Sequence, residues 1–223
     1  MTKKFISFVL LLFPGLMVFS QTGNLPVKEW TDPANKPFIL YISGDGGFNN
    51  FSTGLCNELN RSGYNVTAIN AKTYFWEKRT PEQSALDIAS YLDKKMAGRN
   101  NQQLVLAGYS FGADVLPFIV NKLPEAMKKK LVSVVLLSPS TTTDFEIHWA
   151  DILGISKKRS MDVVAEINRM GVLKTVTIIG SDEDDFPLQS VKLTNYYNEI
   201  LNGDHHYEGD IDKVAKTIIK YIN

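Results

Sequence analysis

The run Leu104-Val105-Leu106-Ala107 is apolar without interruption. It passes through Gly108-Tyr109-Ser110-Phe111-Gly112 straight into a helical pattern that lasts to about Leu123. A strand with no polar alternation has no face to give to water, so it belongs inside a sheet covered on both sides. A similar run recurs at Phe38–Ile42, and mostly apolar runs with a single Thr or Ser recur at Val66–Ile69, Val132–Leu137 and Val176–Ile179, with shorter candidates at Val27–Trp30 and Glu199–Leu201. Helical patterns separate them. Phe51, Leu55 and Leu59 mark one that stops at Gly63, and Thr80-Pro81-Glu82-Gln83 is a capping box opening a second. Ile211, Val214, Ala215, Ile218 and Ile222 share one face of a third. This alternation predicts a mostly parallel central sheet with helices on both faces. Such sheets bind ligands at the carboxyl ends of their strands, so chemistry is sought there.

The first twenty residues stand apart. Lys3 and Lys4 precede an apolar run from Phe5 to Phe19, and Val18-Phe19-Ser20 offers small residues for cleavage before Gln21. The run is short for a membrane span, so residues 1–20 read as a secretory signal peptide that is removed. Export, to a periplasmic or secreted location, is therefore expected. No cysteine follows the run, which excludes a lipoprotein anchor. Residues 21–36 form a polar lead-in, and residues 37–223 read as a single α/β domain. With 44% hydrophobic residues the chain can build a core of that size. Its 24 basic and 24 acidic residues cancel, so no electrostatic footprint for nucleic acid exists. Its single cysteine excludes a disulfide framework and a Cys-rich zinc site, and Cys56, flanked by Leu55 and Leu59, is expected to be buried.

Gly108-Tyr109-Ser110-Phe111-Gly112 is a G-x-S-x-G pattern between a strand and a helix, the context of a nucleophile elbow. Ser110 is the expected nucleophile. The backbone N–H of Phe111 is one expected oxyanion donor. A second donor is expected from the glycine-rich loop Ser43-Gly44-Asp45-Gly46-Gly47-Phe48, from Asp45 or Gly46. In this architecture an acid and then a histidine follow the serine in the chain. Val176–Gly180 runs into Ser181-Asp182-Glu183-Asp184-Asp185, and Gly203-Asp204-His205-His206 precedes the last helix. His205 is the first choice for the base and His206 the alternate. Glu183 is the first choice for the acid, with Asp185 and Asp182 open. No cofactor and no metal site is expected, since neighbouring histidines do not converge on one ion.

The nucleophile segment extends beyond a generic elbow. Gly108 to Phe118, running on to Asn121-Lys122-Leu123-Pro124, resembles the bacterial virulence protein VirJ family, a domain also found in AcvB proteins. Ser43-Gly44-Asp45-Gly46-Gly47, Tyr74-Phe75-Trp76 through Gln83, Asp144 to His148, and Gly203 to Gly209 are similar to the same family, in family order. The resemblance implies an α/β-hydrolase fold, an exported location and serine-hydrolase chemistry on aminoacylated phosphatidylglycerol, especially the lysyl form. It carries Ser110 over as nucleophile and matches the His205-His206 pair. The chain departs from the family pattern after the acidic loop, where Asp185 leads into Phe186-Pro187-Leu188 instead of a cysteine.

A lysyl ester carries a cation beside its carbonyl. Asp114, about one helical turn after Ser110, and Asp144 and Glu146, after the following strand, are candidate ammonium-binding residues. Asp114 is equally a candidate for hydrogen-bond support of a loop. Arg79 is a candidate for a lipid phosphate, its alternative being a solvated charge or salt bridge. Tyr74 and Trp76 are candidates for the cleft wall or for core packing. The expected partner is a small-molecule or lipid ester, with peripheral contact to membrane lipid. The competing readings are a general carboxylesterase, lipase or thioesterase, and a non-catalytic assembly protein that keeps the fold.

Overall fold

The computed structural model describes residues 25–32, 36–98, 102–147 and 159–222. Residues 1–20, expected to be a signal peptide, and His148 lie outside the described residues. In chain order the elements are β1 (Val27–Trp30), β2 (Phe38–Ile42), α1 (Asn50–Arg61), β3 (Val66–Ile69), α2 (Ala71–Tyr74), α3 (Pro81–Lys95), β4 (Leu104–Tyr109) and α4 (Phe111–Lys122). Then follow α5 (Glu125–Lys128), β5 (Leu131–Leu137), β6 (Thr142–Thr143), β7 (Met161–Asp162), α6 (Val163–Asn168), β8 (Thr175–Gly180), β9 (Tyr196–Leu201) and α7 (Ile211–Ile222).

Seven strands form one sheet in the order β1-β3-β2-β4-β5-β8-β9, and β6 pairs with β7 in a small separate ribbon. Every neighbouring pair in the large sheet is parallel except β1 with β3. The lead-in is therefore part of the fold: its strand Val27–Trp30 closes one edge as the antiparallel member. Successive residues of the buried strands face opposite ways, as strand geometry requires. Leu40 and Ile42 of β2, and Leu104 and Leu106 of β4, pack with Ile88 and Leu92 of α3 and Ile119 of α4. Ile39 and Tyr41, with Val105 and Ala107, pack with Leu55 and Leu59 of α1 and Val214 and Ile218 of α7. A fully buried Leu or Ile stabilises the fold by about 1.5–3 kcal/mol relative to an exposed one, which is why these runs tolerate no polar interruption.

Local signals act where the chain must turn. Thr80 Oγ1 accepts from Gln83 N at 3.1 Å, and Gln83 Oε1 accepts from Thr80 N at 3.1 Å, completing the capping box that starts α3. Asn49 Oδ1 accepts from Ser52 N at 2.8 Å to start α1. The strand order reverses direction between β2 and β4. The loops leaving the carboxyl ends of these two strands diverge there and leave a crevice, the switch point at which open α/β sheets bind ligands.

Candidate active site

Ser110 stands at that switch point, between β4 and α4. Its backbone sits at φ 53°, ψ −122°, a region that costs a non-glycine residue about 1–3 kcal/mol. The glycines on either side exist for close approach. A Cβ on Gly108 would fall within 3 Å of the backbone of Gly112 and Ala113, and one on Gly112 within 3 Å of the carbonyls of Ile42 and Ser43. A Cβ on Gly44 would reach 3.3 Å from the Ser110 Cβ, so the β2 loop is pressed against Ser110. Gly47 N donates to Gly44 O at 3.0 Å, closing a tight turn across Asp45 and Gly46. At the other side, Ser110 O accepts from Ala113 N and Asp114 N. The N–H of Phe111 is one of the first-turn donors that a helix leaves without a carbonyl partner.

The histidine loop reaches the elbow through Tyr109. The Tyr109 ring lies 5.3 Å from that of His205, and its hydroxyl donates to His205 O at 3.1 Å. Among the described residues no hydrogen bond joins Ser110 Oγ to His205. Such contacts commonly tighten only when substrate binds. The acidic loop and the histidine loop are sewn together by backbone. Ser181 N donates to Leu201 O at 2.7 Å and Asp182 N to Gly203 O at 3.0 Å. Gly180 has no side chain because the carbonyls of Gly203 and Asp204 occupy that space.

Of the three candidate acids, Glu183 is the one in contact with a histidine: its Oε1 lies 2.6 Å from His205 Nδ1. Its Oε2 accepts from Gly180 N at 2.8 Å and Ser138 Oγ at 2.6 Å. Burial pushes the Glu183 carboxyl up, but the hydrogen bonds from His205, Ser138 and Gly180 outweigh it and hold it below the usual glutamate value. Burial pulls His205 down, yet the Glu183 carboxylate, with the charges of Asp114 and Asp45, raises it above the usual imidazole value. Asp182 and Asp185 are exposed, and Asp182 accepts from Ser181 Oγ. His206 is also exposed and faces Phe51 edge-on, 6.4 Å between ring centroids.

Beside the His205–Glu183 pair opens a cleft of roughly 620 Å³. It is lined by Ser138–Thr142, Ile179, Asp182–Phe186 and His205. Its charged lining is acidic, with no lysine or arginine among the described residues that line it. None of the expected substrate contacts lines this cleft. Tyr74 is buried, and its hydroxyl donates to Asp87 Oδ2 at 2.6 Å, so core packing is the role its position serves. Arg79 lies over the Tyr74 ring at 4.9 Å and donates to Tyr74 O at 3.3 Å. Trp76 is 42% exposed. Asp144 lies 3.7 Å from Arg159, and Glu146 is half-buried. Two backbone bonds, Arg79 N to Phe145 O and Ile147 N to Phe75 O, knit these segments into one buttress. Its Phe75 packs against Phe111 at 5.2 Å. The buttress thus supports the elbow from outside the cleft.

Asp114 is also placed differently from an ammonium receptor. It is only 6% exposed, and its Oδ1 accepts from Ser140 N at 2.6 Å. Of its two candidate roles, hydrogen-bond support of a loop is the one its position serves, because Ser140 belongs to the cleft wall. Burial raises its pKa to about 7, although the Ser140 hydrogen bonds oppose the shift. A folded-state pKa above the unfolded value means that Asp114 costs stability increasingly as pH rises from about 4 towards 7. Asp114→Asn keeps the acceptor oxygen and removes the titration. Its melting temperature is expected to exceed that of the wild type at pH 8 by more than at pH 5, with KM for a cationic ester unchanged. Thermal melts at both pH values check the first part and steady-state kinetics the second.

Three residues of this region carried no signal of spacing or type. Ser138 and Ser140 are ordinary residues two apart and Tyr207 lies far from them in the chain, and only the position of Ser138 at the carboxyl end of a strand marks it. Cys56 is buried in the α1 face, and burial pushes its thiol up to about 12. Among the described residues no group of three or more His, Cys, Asp or Glu side chains is placed to hold a metal ion.

Sheet order and elbow together define the α/β-hydrolase class. The chain belongs to the bacterial virulence protein (VirJ) family, which it matches over residues 37–223. No curated protein sequence matches it significantly. Solved structures share its fold at low identity. A lipase-esterase related protein from Clostridium acetobutylicum superposes with a TM-score of 0.62 at 15% identity, covering 89% of this chain and 99% of its own. MenH from S. aureus gives 0.60 at 12%, covering 87% and 97%. Est1E from Butyrivibrio proteoclasticus gives 0.58 at 13%, covering 88% and 93%.

Proposed function

We propose that this chain is an exported serine hydrolase that cleaves the aminoacyl ester of phosphatidylglycerol, the lysyl ester in particular. The observation that carries the substrate choice is the acidic cleft beside His205 and Glu183, which suits a cationic acyl group and disfavours an anionic one. Ser110 attacks the ester carbonyl while His205 takes its proton. Glu183 holds the imidazole in the tautomer that leaves Nε2 free to accept. The N–H groups of Phe111 and of the Asp45-Gly46 turn receive the developing oxyanion. Collapse releases the lipid alcohol and leaves an aminoacyl-enzyme, which water activated by His205 hydrolyses to the free amino acid. Family membership and the ester-cleaving names of structural neighbours support the reaction class. Residues 1–20 supply the export signal in this reading. Among the described residues no helix is long and apolar enough to cross a membrane, and in this reading the enzyme meets its lipid peripherally.

The test is hydrolysis by the chain from Gln21 onward of lysyl-phosphatidylglycerol, phosphatidylglycerol and p-nitrophenyl butyrate, each in parallel. Release of free lysine at least tenfold more efficiently than butyrate hydrolysis is expected. Turnover of the butyrate ester alone would replace this reading by a general carboxylesterase or thioesterase. No turnover of either by folded protein would favour a non-catalytic role.

A further inference from the structure

Four non-glycine residues among those described have positive φ: Ser110, Ser138, Tyr207 and Glu208. Ser110 has its reason in the elbow. Ser138 (φ 46°) and Tyr207 (φ 55°) are both buried, and each turns its hydroxyl towards the other, 2.7 Å apart. Ser138 Oγ also lies 2.6 Å from Glu183 Oε2, and Tyr207 OH lies 2.8 Å from Ile178 O. Left-handed backbone is unfavourable at both positions, so the surrounding fold holds these hydroxyls where they are.

Proton counting orders the cluster. Two hydroxyls supply two protons for three contacts. An ionised carboxylate and a carbonyl only accept. The Ser138 proton therefore goes to Glu183, and the Tyr207 proton is divided between Ile178 O and Ser138 Oγ. With Glu183 ionised, its Oε2 is held by two donors, the Ser138 hydroxyl and the Gly180 N–H.

We propose that Ser138, backed by Tyr207, is a positioning residue for the proposed hydrolase: it fixes the ionised Glu183 carboxylate in the plane that meets His205. The inference rests on the Ser110–His205–Glu183 reading. Gly180 N–H grips the same oxygen from one side, and Ser138 O–H is the second donor that fixes the direction of that oxygen while Oε1 meets His205. The ionisable groups around this pair are Asp114 and Asp45 towards His205, and Tyr109 and Tyr207 towards Glu183. The His206 ring stands 5.8 Å from that of His205.

The experiment follows labelling of Ser110 by a fluorophosphonate probe, read by intact mass, from pH 5 to 9. It needs no knowledge of the substrate. Ser138→Ala and Ser138→Gly both remove the hydroxyl, but glycine is at ease at φ 46°. Both are expected to lower the plateau labelling rate about tenfold, the ordinary weight of a hydrogen bond to a charged group. Both should also move the acid limb down towards the usual imidazole value near 6.5. Tyr207→Phe should do the same more weakly, about threefold. A merely structural role would reduce the labelled fraction and leave the limb in place. An unmoved limb, an upward shift, or recovery in the glycine variant would each overturn the proposal. Wild-type protein that does not label, or that labels equally in Ser110→Ala, would instead overturn the serine-hydrolase reading beneath it.

Discussion

Ser110→Ala is expected to abolish ester hydrolysis, with kcat falling on the order of 10⁴-fold or more while the protein stays folded. The magnitude follows from the role. A nucleophile and its base act as a unit, and what survives their loss is only the background that binding and the oxyanion hole provide. The structural cost of the change is small. Ser110 Oγ does not cap α4, and alanine and serine face a similar penalty at φ 53°. The melting temperature should therefore move little, and KM should remain measurable wherever residual turnover allows. This combination separates a catalytic serine from a structural one. Retention of more than a tenth of wild-type turnover would remove Ser110 from the chemistry and leave the fold with another use. Free amino acid release and thermal melts on the same preparation supply both readings.

The fold was legible because its signals are local and physical. Buried parallel strands cannot alternate, so Phe38–Ile42 and Leu104–Ala107 declared themselves. The capping box declared the start of α3. The elbow was legible for a stronger reason: Gly108 and Gly112 face backbone at a distance that admits no Cβ, so the glycines are demanded by geometry. Strand ends and chain order then limited the candidate partners of Ser110 to short segments around Glu183 and His205. Side-chain direction was not legible. Asp114 is one helical turn from Ser110 in either role, and only the fold shows that it points to Ser140 N. Tyr74 and Arg79 lie in a segment that a cleft wall and a buttress would write alike. The pairing of Ser138 with Glu183 and Tyr207 spans three separate strand ends, and no spacing rule connects them.

Glu183→Gln is expected to cost about as much as loss of the nucleophile itself, on the order of 10⁴-fold in kcat, through a tautomer and not through a lost contact. The argument comes from the two sides of the carboxylate. Gly180 N–H can only donate, so it claims the amide oxygen of glutamine at the Oε2 position. Ser138 O–H can still donate to that oxygen. The amide NH₂ is then turned to the Oε1 position, facing His205 Nδ1. A donor there forces Nδ1 to accept and puts the imidazole proton on Nε2. That tautomer cannot take a proton from Ser110. The pH profile should change with the rate. In the wild type His205 is raised above the usual imidazole value, so activity should rise with pH through a midpoint above about 6.5. Without the carboxylate that midpoint should fall. Stability should follow the same pair. Glu183 is held low in the fold, so its contribution is present above about 4.5 and fades as pH drops through the lowered value. His205 is held high, so its contribution is present below about 6.5 and fades as pH rises through the raised value. The wild type should therefore exceed Glu183→Gln in melting temperature most between those limits, near pH 5–6, with the gap closing in acid. Activity above a tenth of wild type, or a limb that stays where it was, would move the role of the acid to another carboxylate of the same loop, with Asp182 and Asp185 the next to replace.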